Sequence, residues 1–201
     1  MEDGHSIAMN ELRVGDMIKV YDLASGEYRF SPVLGFLHVE RDREQEYLLM
    51  KLQNQASITM SGDHLLFVNE TKIPIRAKSA IVGRDTVWYD NALVLITDRV
   101  LVKKHGVFNV LTYEGTIVVD GVLASNYASD IYSHEVQHQV LSPFRLFSAY
   151  VYLFNRGQLP ENGVLPYASF LQQLESILIG LSQFLPCNPR QLFSSRSGDN
   201  E

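Results

Sequence analysis

Cysteine is almost absent from this chain, which has a single one, Cys187, among its 201 residues. One thiol cannot close an internal disulfide, and it cannot supply the several thiolates of a cysteine-rich zinc site. Cys187 lies near the end of the sequence, in the stretch Leu-Pro-Cys-Asn-Pro. A disulfide framework and a cysteine-rich metal site are therefore both excluded.

Runs of basic residues are also lacking. The chain has 17 Lys and Arg against 23 Asp and Glu, so its formal net charge is −6 at pH 7. An acidic chain without a basic patch binds phosphate backbones poorly, and we expect no nucleic-acid partner. The N-terminus lacks the basic and then apolar stretch of a secretory signal, so a signal is either absent or lies upstream.

Short runs rich in Val, Ile, Leu, Tyr and Thr fill most of the chain from residue 7 to residue 127. Turn residues interrupt these runs about every ten positions, which is typical of an all-β domain. We predict turns between the strands at pairs such as Asn54-Gln55 and His105-Gly106. The predicted strands cover 17–22, 28–37, 47–52, 57–60, 65–68, 86–89, 93–102, 108–112 and 116–119.

Beyond residue 133 the sequence favours helices, which we predict over 133–141, 144–154 and 167–185, with a linker over 157–166. The first is short and polar, the second is apolar nearly all round, and the apolar residues of the third follow a helical period. The last helix is amphipathic, with one acidic residue, Glu175, and no Lys or Arg, which argues against an anchor on an anionic membrane. Its apolar aromatic face can still meet a lipid or a sterol.

The β region also shows signs of an internal duplication. Segments 47–64 and 107–124, sixty positions apart, both predict a strand, a tight turn, a second strand and a corner of small residues. A Val-Gly pair precedes a Tyr-Asp pair ahead of each copy, at Val14-Gly15 and at Val82-Gly83. Two correspondences in the same order predict two pseudo-symmetric β subdomains, with any site at the seam between them.

Candidate chemistry is concentrated in Ser61-Gly62-Asp63-His64, at a corner where a predicted strand ends. An imidazole there can polarise a peptide bond or protonate a leaving amine, and the Ser61 hydroxyl can orient the carbonyl. The alternative is a structural turn in which Ser61 and Asp63 cap backbone amides and His64 packs beneath a strand.

His134 and His138 stand four residues apart on a predicted helix, and histidines at that spacing can share a metal ion. No third ligand is evident beside them, and structural histidines on amphipathic helices are common. We therefore expect no bound metal and no cofactor.

Five blocks of the sequence are similar to the autoprocessing domain of hedgehog-type proteins, also called the Hint or Hog domain. The blocks keep the family's order and spacing over residues 2–147, whereas residues 148–201 match only as the hydrophobic region that follows the domain. The five blocks are MNELRVGD at 9–16, FSPVLGFLH at 30–38, DHLLFV at 63–68, GTIVVDGVLASNYA at 115–128 and LSPFRLF at 141–147.

This resemblance implies an all-β fold, the Hint horseshoe of two pseudo-symmetric β subdomains, with a C-terminal helical appendage. The Hint autoprocessing domain is expected over residues 1–147, without its first strand and its nucleophile. A hydrophobic helical tail is expected over residues 148–201, where it takes part in sterol or lipid handling.

The resemblance also implies a reaction, an autocatalytic and cysteine-dependent self-cleavage coupled to cholesterol transfer. In the family, a cysteine at the first residue of the domain attacks the preceding peptide carbonyl and forms a thioester by an N-to-S shift. A second nucleophile, the hydroxyl of cholesterol in hedgehog proteins, displaces the thiol and leaves the upstream signalling fragment lipid-modified. The implied partners are the chain's own upstream fragment and cholesterol or another lipid. The implied location is the secretory pathway or the extracellular space.

Three residues match positions that act in the family. His64 matches the histidine that protonates the departing amide nitrogen, and Ser61 replaces a threonine and so keeps the hydroxyl. His38 stands where hedgehog proteins usually have an aspartate that activates the sterol, so a different acceptor, or water, becomes plausible. Asn126 replaces the cysteine of the Ser-Cys-Tyr motif, which removes any thiol-redox role there.

The family's nucleophilic cysteine is expected about nine residues before Met1, outside the given sequence. We therefore expect a fragment or a truncated form, which does not cleave itself as given although its intact precursor does. The alternative is a catalytically inactive Hint relic that serves as a binding or interaction module.

Overall fold

The computed structural model describes residue 1 and residues 4–71, 73–128, 132–143, 145–146 and 163–164. The chain divides into two compact units, Met1–Gly163 and Val164–Glu201. Nearly all of the described residues belong to the first unit.

Strands dominate the first unit, which confirms the predicted all-β class. A turn of 3-10 helix, Ala77–Ser79, and one α-helix, α1 (His134–Val140), accompany them, and a two-residue strand occupies Gly163–Val164. In chain order the longer strands are β1 (Met17–Asp22), β2 (Glu27–Pro32), β3 (Gly35–Leu52), β4 (Ser57–Met60), β5 (His64–Val68), β6 (Ile73–Arg76), β7 (Thr86–Tyr89), β8 (Ala92–Leu111), β9 (Thr116–Val119) and β10 (Val122–Ala128).

The two longest strands, β3 and β8, pair antiparallel from Gly35 opposite Leu111 to Leu52 opposite Ile96. The predicted turn at His105-Gly106 was wrong, because both residues lie inside β8. The polar residues that suggested a turn in the sequence instead lie on the paired strands β3 and β8, where their side chains form charge pairs across this two-stranded ribbon. Glu44, for example, lies 3.3 Å from the ammonium group of Lys103.

Strand order explains a strand that the sequence pattern did not predict. In the larger sheet the order runs β3-β8-β7-β10-β5-β6, with β4 on β3 and β9 on β10, while β1 and β2 form a separate two-stranded sheet. β6 contains Pro74, which argues against a central strand because proline cannot donate to the ladder. Pro74 is tolerated because β6 is the last strand in this order and pairs with β5 on one side.

The internal duplication is confirmed by matching backbone hydrogen bonds in the two copies. Each Val-Gly element exchanges two hydrogen bonds with a later apolar residue of its own copy. Equivalent strands also pair with each other in antiparallel fashion, β3 with β8 and β5 with β10, as a twofold relation requires. The bonds, donor first, are Gly15 to Val33 (2.9 Å) and Val33 to Asp16 (2.9 Å) in one copy, and Gly83 to Ile96 (2.8 Å) and Ile96 to Asp85 (3.0 Å) in the other.

The main hydrophobic core is filled from both copies. Fully buried side chains of the first copy, such as Met50 and Ile58, pack in one cluster with Val87 and Ile96 of the second. A smaller cluster joins Tyr21, Phe67 and Leu123. Since neither copy buries its apolar face alone, the two halves depend on each other for stability.

α1 confirms the helix predicted over 133–141, and Ser133 caps it by accepting a hydrogen bond from the backbone N–H of Val136. The predicted helices over 144–154 and 167–185 lie outside the described residues, apart from Arg145 and Leu146, and so does Cys187. The domain division at residue 147 stays a prediction. None of the helices in the described part is long and apolar enough to cross a membrane.

Truncating one core residue of β8 is expected to destabilise the fold strongly. Ile96 is fully buried, so Ile96→Ala leaves a cavity and lowers the free energy of unfolding by about 2–5 kcal/mol. Leu101 on the same strand is 67% exposed, and Leu101→Ala is the matched control, with a change within about 0.5 kcal/mol. Urea unfolding followed by tryptophan fluorescence measures both changes. Equal effects in the two variants would contradict the assignment of the core.

Candidate active site

The corner predicted to hold the chemistry lies between β4 and β5, and His64 is the first residue of β5. The backbone N–H of His64 donates to the carbonyl oxygen of Ser61 at 3.1 Å and closes a tight turn. Asp63 forms an ion pair with Lys78, whose backbone N–H donates to the Gly62 carbonyl oxygen at 2.9 Å. These contacts keep the hydroxyl and the imidazole on one short turn.

The ring of His64 is held by β10. Its Nε2 lies 2.7 Å from the carbonyl oxygen of Ser125, and because that oxygen can only accept, Nε2 is the donor. The lone pair of the neutral ring therefore lies on Nδ1. Burial lowers the pKa of His64, and the hydrogen bond to Ser125 opposes this in part. At pH 7 His64 is thus a neutral base that can take up a proton at Nδ1 and pass it on.

A bulge in β10 accompanies this contact. Ala124 lies opposite Leu66 of β5, and Ala128 lies opposite His64, so residues 125–127 face a single residue of β5. The β5–β10 ladder is interrupted where the Ser125 carbonyl accepts from the His64 side chain. The pairing of the two copies therefore places the Ser125 carbonyl, which comes from the second copy, against the ring of His64.

His38 lies in β3, opposite Asn109 of β8. Its Nε2 donates to Oε1 of Glu40 at 2.7 Å, and Arg43 donates to the other carboxylate oxygen at 3.1 Å. The hydrogen bond from His38 and then that from Arg43 lower the pKa of Glu40. In the part of the chain that the structure describes, His38 shares no hydrogen bond with His64 or Ser61. The roles of all three residues stay predictions.

A polar cluster behind Ser125 was missed as a unit by the sequence analysis, although the spacing of its two histidines singled them out. Nδ1 of His134 lies 2.9 Å from Oγ of Ser125, and Nδ1 of His138 lies 2.8 Å from the hydroxyl oxygen of Tyr127. Arg145 donates to the Tyr127 hydroxyl at 3.0 Å and to the His138 carbonyl oxygen at 2.6 Å. The helix α1 is thereby joined to the bulge of β10.

The Nδ1 atoms of His134 and His138 are both occupied by contacts within the protein. Both Nδ1 atoms face protein partners, and the two rings stack with centroids 5.6 Å apart and an angle of 11° between their planes. The described residues contain no group of three or more His, Cys, Asp or Glu side chains that can hold a metal ion. Burial lowers the pKa of each histidine to about 4, with a further contribution from the positive charge of Arg145.

Asn126, which the resemblance matches with the family's cysteine, is 1% exposed. In the orientation that satisfies both ends of its amide, the oxygen accepts from the Thr112 backbone N–H at 2.7 Å and the nitrogen donates to the Thr116 carbonyl at 3.2 Å. Its own backbone N–H donates to the Gly115 carbonyl at 2.9 Å. The amide thus joins β10 to the hairpin between β8 and β9, through hydrogen bonds that a thiol makes only weakly.

Comparison with known proteins finds a matching family model and several similar chains. The family model described as "Hint module" matches residues 1–180. The chain is 30% identical over 180 residues to the Sonic hedgehog protein of Xenopus laevis. This alignment covers 83% of this chain and 40% of that protein. It is 32% identical over 161 residues to the Protein hedgehog of Drosophila erecta, and this alignment covers 74% of this chain and 33% of that protein. The chain therefore spans less than half the length of these relatives.

Among solved structures, the chain is similar to a DnaB intein from Synechocystis sp. PCC 6803. The TM-score is 0.54 at 10% sequence identity, and the match covers 64% of this chain and 90% of the intein. At that identity the similarity concerns the fold alone, and it confirms the fold predicted from the sequence.

The two buried histidines predict a fold that loses stability in acid. Their pKa is about 4 in the folded chain against an ordinary 6.5, so the unfolded chain binds more protons between these values. The stabilising contribution is complete above pH 6.5 and is lost as the pH falls toward 4. For His134, which is 2% exposed, the loss is about 3 kcal/mol.

Urea unfolding at pH 7.0, 5.5 and 4.5 measures this dependence. His134→Gln is expected to make it shallower, because glutamine does not titrate and only His138 of the pair remains. His105, with a side chain that is 71% exposed, is the matched control, and His105→Gln is expected to leave the dependence unchanged. An unaltered dependence in the His134→Gln protein would argue against the assignment.

Proposed function

Because this chain belongs to the Hint module family, we propose that it is the autoprocessing domain of a hedgehog-type precursor. The proposed activity is a cysteine-dependent self-cleavage followed by transfer of the upstream fragment to a second nucleophile. The hedgehog relatives support this proposal, and so does the fold shared with an intein. The observation that supports it most directly is the ring of His64, held at Nε2 with its lone pair on Nδ1.

In the first proposed step, a cysteine thiol placed ahead of Met1 in the precursor attacks the carbonyl carbon of the peptide bond before it. The C–S bond forms and the C–N bond breaks. Nδ1 of His64 takes the thiol proton and delivers it to the departing nitrogen, which becomes a free amine. The hydroxyl of Ser61 donates to the carbonyl oxygen and orients it. A neutral His64 suits this sequence, because it must act as a base before it acts as an acid.

In the second proposed step, a hydroxyl group attacks the thioester carbonyl, so that a C–O bond forms and the C–S bond breaks. His38 takes the hydroxyl proton, and the departing sulfur regains a proton as a thiol. The carboxylate of Glu40 orients the ring of His38 for this role, since it accepts from Nε2 and leaves the lone pair on Nδ1. The acceptor is cholesterol, another alcohol or water.

The remaining assignments follow from the same family relation. We propose that residues 1–147 form the autoprocessing domain and that residues 148–201 contribute to binding a sterol or another lipid. The upstream fragment of the precursor is the substrate. The proposed location is the secretory pathway or the extracellular space, as inferred from the hedgehog relatives.

The role of His64 is tested in a precursor with an affinity tag, a cysteine and an eight-residue spacer fused ahead of Met1. Dithiothreitol is expected to release the tag from such a precursor, because its thiol attacks the thioester carbonyl and displaces the cysteine thiol. His64→Ala is expected to slow release at least about 100-fold, because the departing nitrogen loses its proton donor. Gel electrophoresis over time measures the rate.

His105→Ala is the matched control, since His105 is exposed in the β3–β8 ribbon, and its rate should equal that of the unaltered chain. For the hydroxyl, Ser61→Ala should slow release while Ser61→Thr retains it. Release at the unaltered rate in His64→Ala would disprove its role. If the unaltered precursor releases no tag with any acceptor, the inactive relic acting as an interaction module is favoured instead.

The role of His38 is tested by comparing acceptors. His38→Ala is expected to reduce cholesterol-dependent release about tenfold or more, because the hydroxyl loses its base, while dithiothreitol-dependent release stays within about twofold. Release is measured in detergent with and without cholesterol. A parallel loss with dithiothreitol would indicate a structural role for His38. If cholesterol has no effect on the unaltered precursor, the acceptor is not a sterol.

A further inference from the structure

Ser125 connects two histidines that are seventy residues apart, His64 and His134. Its carbonyl oxygen accepts from Nε2 of His64 at 2.7 Å, and its Oγ lies 2.9 Å from Nδ1 of His134. Oγ also accepts from the backbone N–H of Tyr127 at 2.9 Å. Ser125 is fully buried, so no water competes for these bonds.

The backbone at Ser125 is regularly paired on one side and irregular on the other. It belongs to the bulge of β10, where three residues face one residue of β5 and the regular ladder is interrupted. On the β9 side this backbone is paired, because Ser125 lies opposite Thr116 and the backbone N–H of Asn126 donates to the Gly115 carbonyl oxygen. On the β5 side the ladder is interrupted, and the Ser125 carbonyl accepts from the His64 ring there. The contact between Ser125 Oγ and His134 supports the bulge from outside the sheet.

His134 is itself firmly placed. It is 2% exposed, and its ring lies edge-on to Phe67, with centroids 5.5 Å apart, and against Tyr127 at 5.1 Å. Phe67 belongs to β5, the strand that begins with His64. His134 therefore contacts both strands that meet at the candidate site, and the charged or titratable groups near it are Glu135, His138 and Arg145.

We propose that His134 is a positioning residue for the proposed reaction: through Ser125 it directs the carbonyl that holds the ring of His64. This inference rests on the proposed function and deepens it. Without His134 the bulge keeps its backbone bonds to β9 but loses a contact that holds the Ser125 side chain. The carbonyl that accepts from Nε2 of His64 is then directed less firmly, and Nδ1 is aimed less accurately. A misdirected proton donor slows the transfer even when the chain remains folded.

The test uses the tagged, cysteine-containing precursor described above. His134→Phe keeps the ring packing and removes the bond to Ser125, and Ser125→Ala removes the same bond from the other side. Each is expected to slow dithiothreitol-dependent release at least about tenfold, and the double variant is expected to be no slower than either single one. Val136→Ala, on the exposed face of α1, is the matched control and should release at the unaltered rate.

Two further readouts separate positioning from a structural role. The pH–rate profile of release should shift in His134→Phe and Ser125→Ala, because His64 loses its fixed partner at Nε2. His134→Asn, whose amide can replace Nδ1 as a partner of Oγ, should recover part of the rate. Nitrogen NMR of the His64 ring should show one tautomer in the unaltered chain and exchange between two in the variants. Should His134→Phe fail to fold, Ser125→Ala and His134→Asn provide the same comparison.

Release in His134→Phe and Ser125→Ala at the rate of Val136→Ala, with an unchanged pH profile, would overturn the inference. If the unaltered precursor does not cleave, the proposed function fails, and the NMR comparison decides the inference by itself. In that case a His64 ring whose signals are the same in all variants overturns it, and an exchanging tautomer in the variants supports it.

Discussion

The antiparallel pairing of β5 with β10 is the interaction on which the rest of the site depends. Each strand comes from one copy of the duplicated β unit, and their pairing sets His64 against the carbonyl of Ser125. The bulge in β10 lies at this point of the pairing. Neither copy alone has both the imidazole and the group that orients it, so the candidate site exists only because the duplicated halves associate.

Polar groups buried behind the β5–β10 pairing hold α1 against the sheet. The buried histidines among them also make the stability of the fold depend on pH. Tyr127, His138 and Arg145 bond to one another, and His134 bonds to Ser125, which ties α1 to the sheet. In such surroundings a histidine remains neutral because a buried charge is poorly solvated. A neutral ring can keep a fixed tautomer and a fixed set of partners, and this is what the orientation of a proton-transfer group requires.

Asn126 and His38, two residues at which the sequence is expected to depart from the hedgehog pattern, have different surroundings in the structure. Asn126 is incorporated into the fold, because its amide bonds to Thr112 and Thr116 and joins β10 to a neighbouring hairpin. His38 lies in β3, is partly exposed, and is oriented by Glu40. The amide of Asn126 thus has a structural role, whereas the imidazole of His38 is a group that can exchange protons. The residue at position 38 therefore bears on the acceptor of the proposed second step.

The sequence by itself determined the all-β class and the duplication, and it located the turn from Ser61 to His64 at the end of a strand. Alternating apolar residues and turn residues are local signals, and two Val-Gly elements in the same order are visible without coordinates. It did not predict that polar residues around His105 continue a strand, that β6 accommodates Pro74, or that His134 serves His64 through Ser125. These features depend on pairing between residues far apart in the chain, where a partner strand satisfies backbone groups and a buried neighbour selects a tautomer. Only the tertiary structure decides such partnerships, because hydrogen bonding and burial depend on which segments meet.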